Sequence, residues 1–249
     1  MSSAPHRLGG LILSLGLLTL ACGGFAPARP TPTPAPTATP VDLTASYRRW
    51  PVVLRDNFFE AANTWEVVED ADDRWARGSL MVANGKYRFD LTANEGFVWW
   101  SRGLADTVTT DFYAAVDARQ VSGTATADYG LIFHYAAGNY YYFAVSDTGQ
   151  FAVSLYYREE WETLVDWTAS AALLPGEVNT LAVAAEGDHY QVFINRAWAG
   201  EFTDQRLPQG EAGVAVEIYN AGDSAVFEFD NFEWRAPRAA VLPTVTPEP

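Results

Sequence analysis

The chain has 249 residues, a formal net charge of −15, and 12 Tyr, 14 Phe and 9 Trp. That length fits one large β domain or two small ones, since all-β domains of roughly 200 to 250 residues often form a single unit. The charge argues against nucleic acid as a partner, because neutralising phosphates needs clustered Lys and Arg, and the chain has no such cluster.

The first segment reads as a targeting element. "MSSAPHRLGG" supplies Arg7, and "LILSLGLLTLA" is apolar but too short to read as a membrane span. Cys22 follows the small residue Ala21 and is the only cysteine, so no intramolecular disulfide can form. "LTLACGG" resembles the processing box of bacterial lipoproteins, in which the cysteine becomes the lipidated first residue; Thr19 departs from the aliphatic residue preferred there. The resemblance implies that residues 1–22 are a signal peptide ending at a lipidated Cys22. It further implies an exported protein held by lipid to the outer face of the bacterial membrane. The plainer alternative is an ordinary secretory signal with an incidental thiol. Residues 23–41, with "FAPARPTPTPAPTATP", are a Pro/Thr linker. In extended polyproline II, at about 3.1 Å per residue, it would hold a domain roughly 50 Å from its anchor.

Residues 42–238 read as one strand after another. "GKYRFDLT", "DFYAAVDAR", "DYGLIFHYA", "NYYYFAVSD", "GQFAVSLYY", "HYQVFIN" and "AVFEFDNFEW" are short, rich in β-branched and aromatic residues, and bounded by turn formers. Asn84-Gly85, Asp147-Thr148-Gly149 and Glu186-Gly187-Asp188 suit hairpin loops, since these residue types tolerate positive φ. No segment has helical periodicity. The expected fold is all-β, an antiparallel two-sheet jelly-roll sandwich. Residues 239–249, with "LPTVTPEP", are expected to be a disordered Pro/Thr tail.

The succession "DYGLIFHY", "NYYYFAVSDTGQFAVSL", "WETLVDWTAS", "NTLAVAAEGDHYQVFINR" and "FDNFEW" resembles the concanavalin A-like lectin/glucanase superfamily. Within it, laminin G-like and 3-keto-disaccharide-hydrolase-type domains look most similar. The resemblance spans Leu54 to Trp234 and implies a jelly roll with a carbohydrate-facing concave surface. It does not imply catalysis, because lectins and enzymes share this scaffold.

"EFDNFEW", Glu228 to Trp234, has the spacing E-x-D-x-x-E, which resembles the catalytic strand of laminarinase-like glycoside hydrolases. Phe227 and Phe229 share one parity while Phe232 and Trp234 share the other, so a continuous apolar face requires a bulge near Asp230 and Asn231. The bulge would turn Glu228, Asp230 and Glu233 away from the core, as a pair of carboxylates flanking a glycosidic bond would require. Two departures weigh against catalysis: only a tail follows the motif, and Asn231 stands where an apolar residue is usual. A structural role is the alternative. If the first and last strands pair, Asp56 and Asp230 are candidate donors to a structural calcium ion, with side-chain to backbone hydrogen bonds as the rival reading.

For a ligand, aromatics on the non-core face of a sheet are the natural contacts, since sugar rings stack on Tyr and Trp. Alternation turns Leu131, Phe133, Phe143, Val145, Phe151, Val153 and Leu155 inward. It leaves Tyr113, Asp117, Arg119, His134, Tyr140, Tyr142 and Tyr156 as an expected carbohydrate-binding face. Of the pair Trp99-Trp100 one ring is expected in the core, and Trp161 and Trp167 are expected to pack rather than meet a ligand. His134 and His189 have no neighbouring Cys or His at zinc-ligand spacing. The expected function is a cell-surface lipoprotein displaying a non-catalytic carbohydrate-binding or adhesion domain, its partner a glycan or cell-surface polysaccharide. The alternatives are a glycoside hydrolase, laminarinase-like or of the keto-disaccharide type, and a structural envelope protein that binds another protein.

Overall fold

The computed structural model describes residues 44–59, 65–103 and 107–243. The expected signal segment 1–22 with Cys22 and the linker 23–41 lie outside the described residues. The strands are, in chain order, β1 (Val52–Asp56), β2 (Val68–Asp72), β3 (Ala76–Ala83), β4 (Lys86–Ala93), β5 (Phe97–Arg102) and β6 (Thr107–Thr109). They continue with β7 (Phe112–Gly123), β8 (Asp128–Ala136), β9 (Asn139–Ser146), β10 (Gln150–Tyr157), β11 (Glu160–Ala169) and β12 (Asn179–Glu186). The last are β13 (His189–Ile194), β14 (Ala197–Thr203), β15 (Glu211–Ile218), β16 (Ser224–Arg235) and β17 (Val241–Pro243).

These strands form two main antiparallel sheets. One runs β14-β13-β12-β7-β16-β4-β3-β2, with β1 also on β16; the other runs β11-β10-β9-β8-β15-β5. The chain changes sheet between β4 and β5, between β5 and β7 by way of β6 in a two-stranded sheet with β17, and between β7 and β8, β11 and β12, β14 and β15, and β15 and β16. Strands adjacent in sequence therefore often lie in different sheets, as in a jelly roll. Among the described residues no helix is long and apolar enough to cross a membrane.

The hairpins follow the turn chemistry. Asn84 and Gly85 have φ of 54° and 69°, the two positive values of a type I′ turn between β3 and β4. Arg158-Glu159 and Asn195-Arg196 adopt the same positive pair, although only one of these four residues is a usual αL former. Strand pairing on both sides imposes those turns, which is why their sequence does not announce them.

The inner faces of the two sheets pack into one core. Leu131, Phe133, Phe143, Val145, Phe151, Val153 and Leu155 enter it from the smaller sheet, and Phe89, Phe112, Val116, Phe227 and Phe229 from the larger. Each such side chain contributes roughly 1.5–3 kcal/mol by leaving water. In β16, Phe227, Phe229, Phe232 and Trp234 are all fully buried. A register shift between Asp230 and Glu233 against β7, with Asn231 at φ 51°, restores the apolar face that strict alternation would break. At the other end, β17 pairs Val241–Pro243 with Thr107–Thr109, inside the stretch expected to be a tail. Backbone pairing thus carries the fold past residue 238.

Candidate functional site

The outer face of the six-stranded sheet holds a groove of about 870 Å³, within the size range of ligand sites. Gly130 and Ile132 on β8, Tyr142 and Ala144 on β9, Ala152 on β10 and Ala215 on β15 share the outward parity and are buried on that face. Large rings stand around them. Trp100 on β5, Tyr140 on β9, Tyr156 on β10 and Trp161 on β11 line the groove. The rings form a contiguous run: Trp100 to Tyr140 is 6.2 Å between centroids, Tyr140 to Tyr156 is 5.5 Å, and Tyr156 to Trp161 is 5.0 Å. Trp161 leaves 46% of its surface in solvent at the open edge.

Beside the rings lies a pair of carboxylates. Asp128 on β8 and Glu217 on β15 face each other in register, and Glu217 lines the groove. Asp128 is fully buried; its Oδ1 accepts a hydrogen bond of 2.6 Å from the Tyr142 hydroxyl and its Oδ2 one from Tyr219. Burial pushes Asp128 up to about 7 against the pull of these two phenols, and burial with the neighbouring Asp128 charge pushes Glu217 up to about 8. The two titrate as a pair that retains a proton near neutrality. Arg102, also in the lining, stacks over Tyr135 at 4.4 Å and Trp100 at 5.7 Å, and is ion-paired to Glu211.

No protein-family model matches the chain, and no curated protein matches it in sequence. Solved structures match it in shape. A carbohydrate-binding module, CBM66 from Bacillus subtilis, superposes with TM-score 0.52 at 15% identity, covering 71% of this chain and 98% of that one. A Bacillus subtilis protein of galectin-like fold gives 0.53 at 11% identity, covering 78% and 97%. The likeness is one of fold, an antiparallel two-sheet jelly-roll sandwich. A third match to this sandwich, at TM-score 0.54 and 15% identity, is the GH43 protein BlXynB from Bacillus licheniformis, where it covers 73% of this chain and 39% of that one.

The sandwich separates the residues expected to form one binding face. Tyr140, Tyr142 and Tyr156 stand on the outer face of the six-stranded sheet, though Tyr142 lies beneath the surface with its hydroxyl committed to Asp128. Tyr113, Asp117 and Arg119 belong to β7 and face outward from the nine-stranded sheet, on the opposite side of the molecule. There Tyr113 stacks on Tyr47 at 6.2 Å, Asp117 accepts from Thr180 Oγ1 at 2.6 Å and Asn231 Nδ2 at 3.0 Å, and Arg119 binds Glu228. His134 is a correction. A register shift after Phe133 and a φ of 47° rotate its ring inward, between the Leu207 carbonyl, 2.7 Å from Nδ1, and the Thr110 carbonyl, 3.0 Å from Nε2. It is 1% exposed.

Several groove residues were not assigned to a ligand face from sequence. Trp161 lines the groove rather than packing inside, and Trp99 packs on the core while Trp100 faces out. The sequence does not pair Glu217 with Asp128, which is 89 positions away. The alternation in "VAVEI" puts Glu217 opposite in parity to Val214 and Val216 but does not say to which sheet that face belongs.

The E-x-D-x-x-E carboxylates lie on the nine-stranded sheet, away from the groove. Glu228 accepts from Arg88 at 2.9 Å and Arg119 at 2.7 Å; Glu233 is bonded to Arg235 and Arg55, and Asp230 to Lys86. Burial raises Glu228 and Glu233, but the hydrogen bonds and charges of their arginines outweigh it and leave both below the usual carboxylate range. Shifted in the same direction, they lack the separated acid and base that glycosidic cleavage uses. The first and last strands do pair, with Asp56 opposite Phe232. Asp56 accepts from the Phe58 backbone N–H at 2.7 Å and Trp65 Nε1 at 3.0 Å, and Asp230 from the Asn231 N–H at 2.7 Å. The bonds from Phe58 and Asn231 join side chain to backbone, and the bond from Trp65 joins two side chains. Among the described residues no group of three or more His, Cys, Asp or Glu is placed to hold a metal.

Proposed function

We propose that this domain binds a carbohydrate chain along the groove of the six-stranded sheet and does not cleave it. The observation that carries this reading is the contiguous ring series Trp100, Tyr140, Tyr156 and Trp161 along the groove. Flat sugar faces stack on such rings while polar groups at the edge hold hydroxyls. The match in shape to a carbohydrate-binding module agrees with it, at the level of fold. Cleavage would require two carboxylates able to reach one bond, and of the pair beside the rings Asp128 is fully buried under Tyr142 and Tyr219.

The sequence adds a location to this reading. The "LTLACGG" box and the Pro/Thr linker support an exported lipoprotein, anchored through Cys22 to the outer face of a bacterial membrane and displaying the sandwich. A glycan-array screen of the purified full chain, with every hit incubated and assayed for released product, tests the binding. Hits that stay intact support the reading; a cleaved hit, or none at all, overturns it. Cys22→Ser tests the anchor: the protein should move from the membrane fraction to the soluble one.

A further inference from the structure

Among the described residues, four shielded carboxylates are met by arginine, whereas Asp128 and Glu217, like Asp117, are not. Glu228 has Arg88 and Arg119, Glu233 has Arg55 and Arg235, Asp204 has Arg206, and Glu211 has Arg102. Among the described residues no Lys, Arg or His bonds to Asp128 or Glu217. The groups that face them are the phenols of Tyr140 and Tyr142 from β9, Tyr219 just beyond β15, and the uncharged Val98 from β5. Two carboxylates directly opposed across an antiparallel pair have their Cβ atoms about 4.5–5.5 Å apart. Burial and the opposed charge both favour the protonated form of one member of the pair.

The surroundings have the chemistry that receives a cation. Trp100 and Tyr140 line the same groove as Glu217, but Arg102 already stacks over Trp100 and Tyr140 is buried among neighbouring rings, so the carboxylate is the group left to receive an ammonium. The other ionisable lining residues are Glu66, Asp73 and Arg102, and the charge of Arg102 is already met by Glu211. An anionic sugar would therefore enter among uncompensated acids, which is unfavourable in a partly desolvated site.

We propose that the groove selects glycans carrying a protonated amine, with Glu217, backed by Asp128, as the residue that receives the ammonium beside Trp100. This rests on the carbohydrate-binding reading and specifies its ligand class. The balance of the step is simple: the ammonium arrives with its three protons, and the proton held by the carboxylate pair leaves to the buffer. Binding thus converts a protonated pair into the anionic partner of the ligand.

The test is calorimetric titration of the full chain at pH 5.5, where the sugar amines are ammonium, with the β-1,4-linked glucosamine tetramer and with its fully N-acetylated counterpart. Each titration is run in two buffers of different ionisation enthalpy. The amine tetramer should bind at least tenfold more tightly and release a fraction of a proton per site. A chain with net charge −15 attracts any oligocation, so the deciding comparison is with Glu217→Gln and Asp128→Asn. Each should reduce the preference to about threefold or less, with proton release lost and the thermal midpoint retained or raised. Equal affinity for the two tetramers would sink the amine selection and leave carbohydrate binding standing. A preference unchanged in both variants would also sink it. Failure of both tetramers and of every arrayed glycan would remove the carbohydrate reading itself.

Discussion

Glu228 accepts two hydrogen bonds from the Arg119 guanidinium, 3.1 and 2.7 Å long, on the sheet that faces away from the groove. The pair is a clamp between β16 and β7, which lie side by side. Because Arg119 is 40% exposed, solvent screens the interaction and its contribution is about 1 kcal/mol. Glu228→Gln should leave glycan affinity unchanged and lower the melting temperature by about 2–4 °C. A tenfold loss of affinity, measured by titration calorimetry, would return the E-x-D-x-x-E strand to the site.

Trp161 and Trp198 are matched in exposure, at 46% and 50%, but lie on different sheets. Trp161→Ala should weaken glycan binding by about tenfold or more, the loss of one ring anchor. Trp198→Ala, on β14, should change it by less than about twofold. Because neither ring is in the core, both variants should fold, and circular dichroism checks that they do.

Acid and base act on stability in opposite directions here. Glu228 and Glu233 have lowered values in the folded state, so their stabilisation is present above the unfolded carboxylate range and is lost as pH falls through their folded values. Asp128 and Glu217 are raised, so the native state holds more protons than the unfolded one between about 4 and about 7 to 8. Their contribution is favourable below that window and declines as pH rises through it. The melting temperature should therefore fall between pH 5 and pH 8, and Asp128→Asn should flatten that slope. A slope unchanged in the variant would remove the pair as its cause.

Asn231 holds φ at 51° where the register of β16 shifts. Asn is one of the few residues other than Gly that adopt this conformation readily, whereas a β-branched side chain is strained there. Asn231→Val should cost about 1–3 kcal/mol, and Asn231→Gly less than about 1 kcal/mol, the loss of its bond to Asp117. Urea unfolding midpoints of the two variants distinguish conformational strain from the lost bond.

Alternation of residue type determined much of this protein by itself. It marked the strands, the buried series from Leu131 to Leu155, and the bulge that Phe227, Phe229, Phe232 and Trp234 jointly demand, because each of these depends on the period-two geometry of a single strand. Strand assignment to a sheet was left to the tertiary structure. A sandwich has two outer faces, and alternation says only that a residue points away from the core, so Tyr113 and Tyr140 read alike although they stand on opposite sides. His134 escaped the rule because a local register shift reversed its side. Asp128 and Glu217, 89 positions apart, became a pair only because β15 returns between β8 and β5. Contacts of that range depend on which strands hydrogen-bond, and that is decided by the burial of both sheets at once.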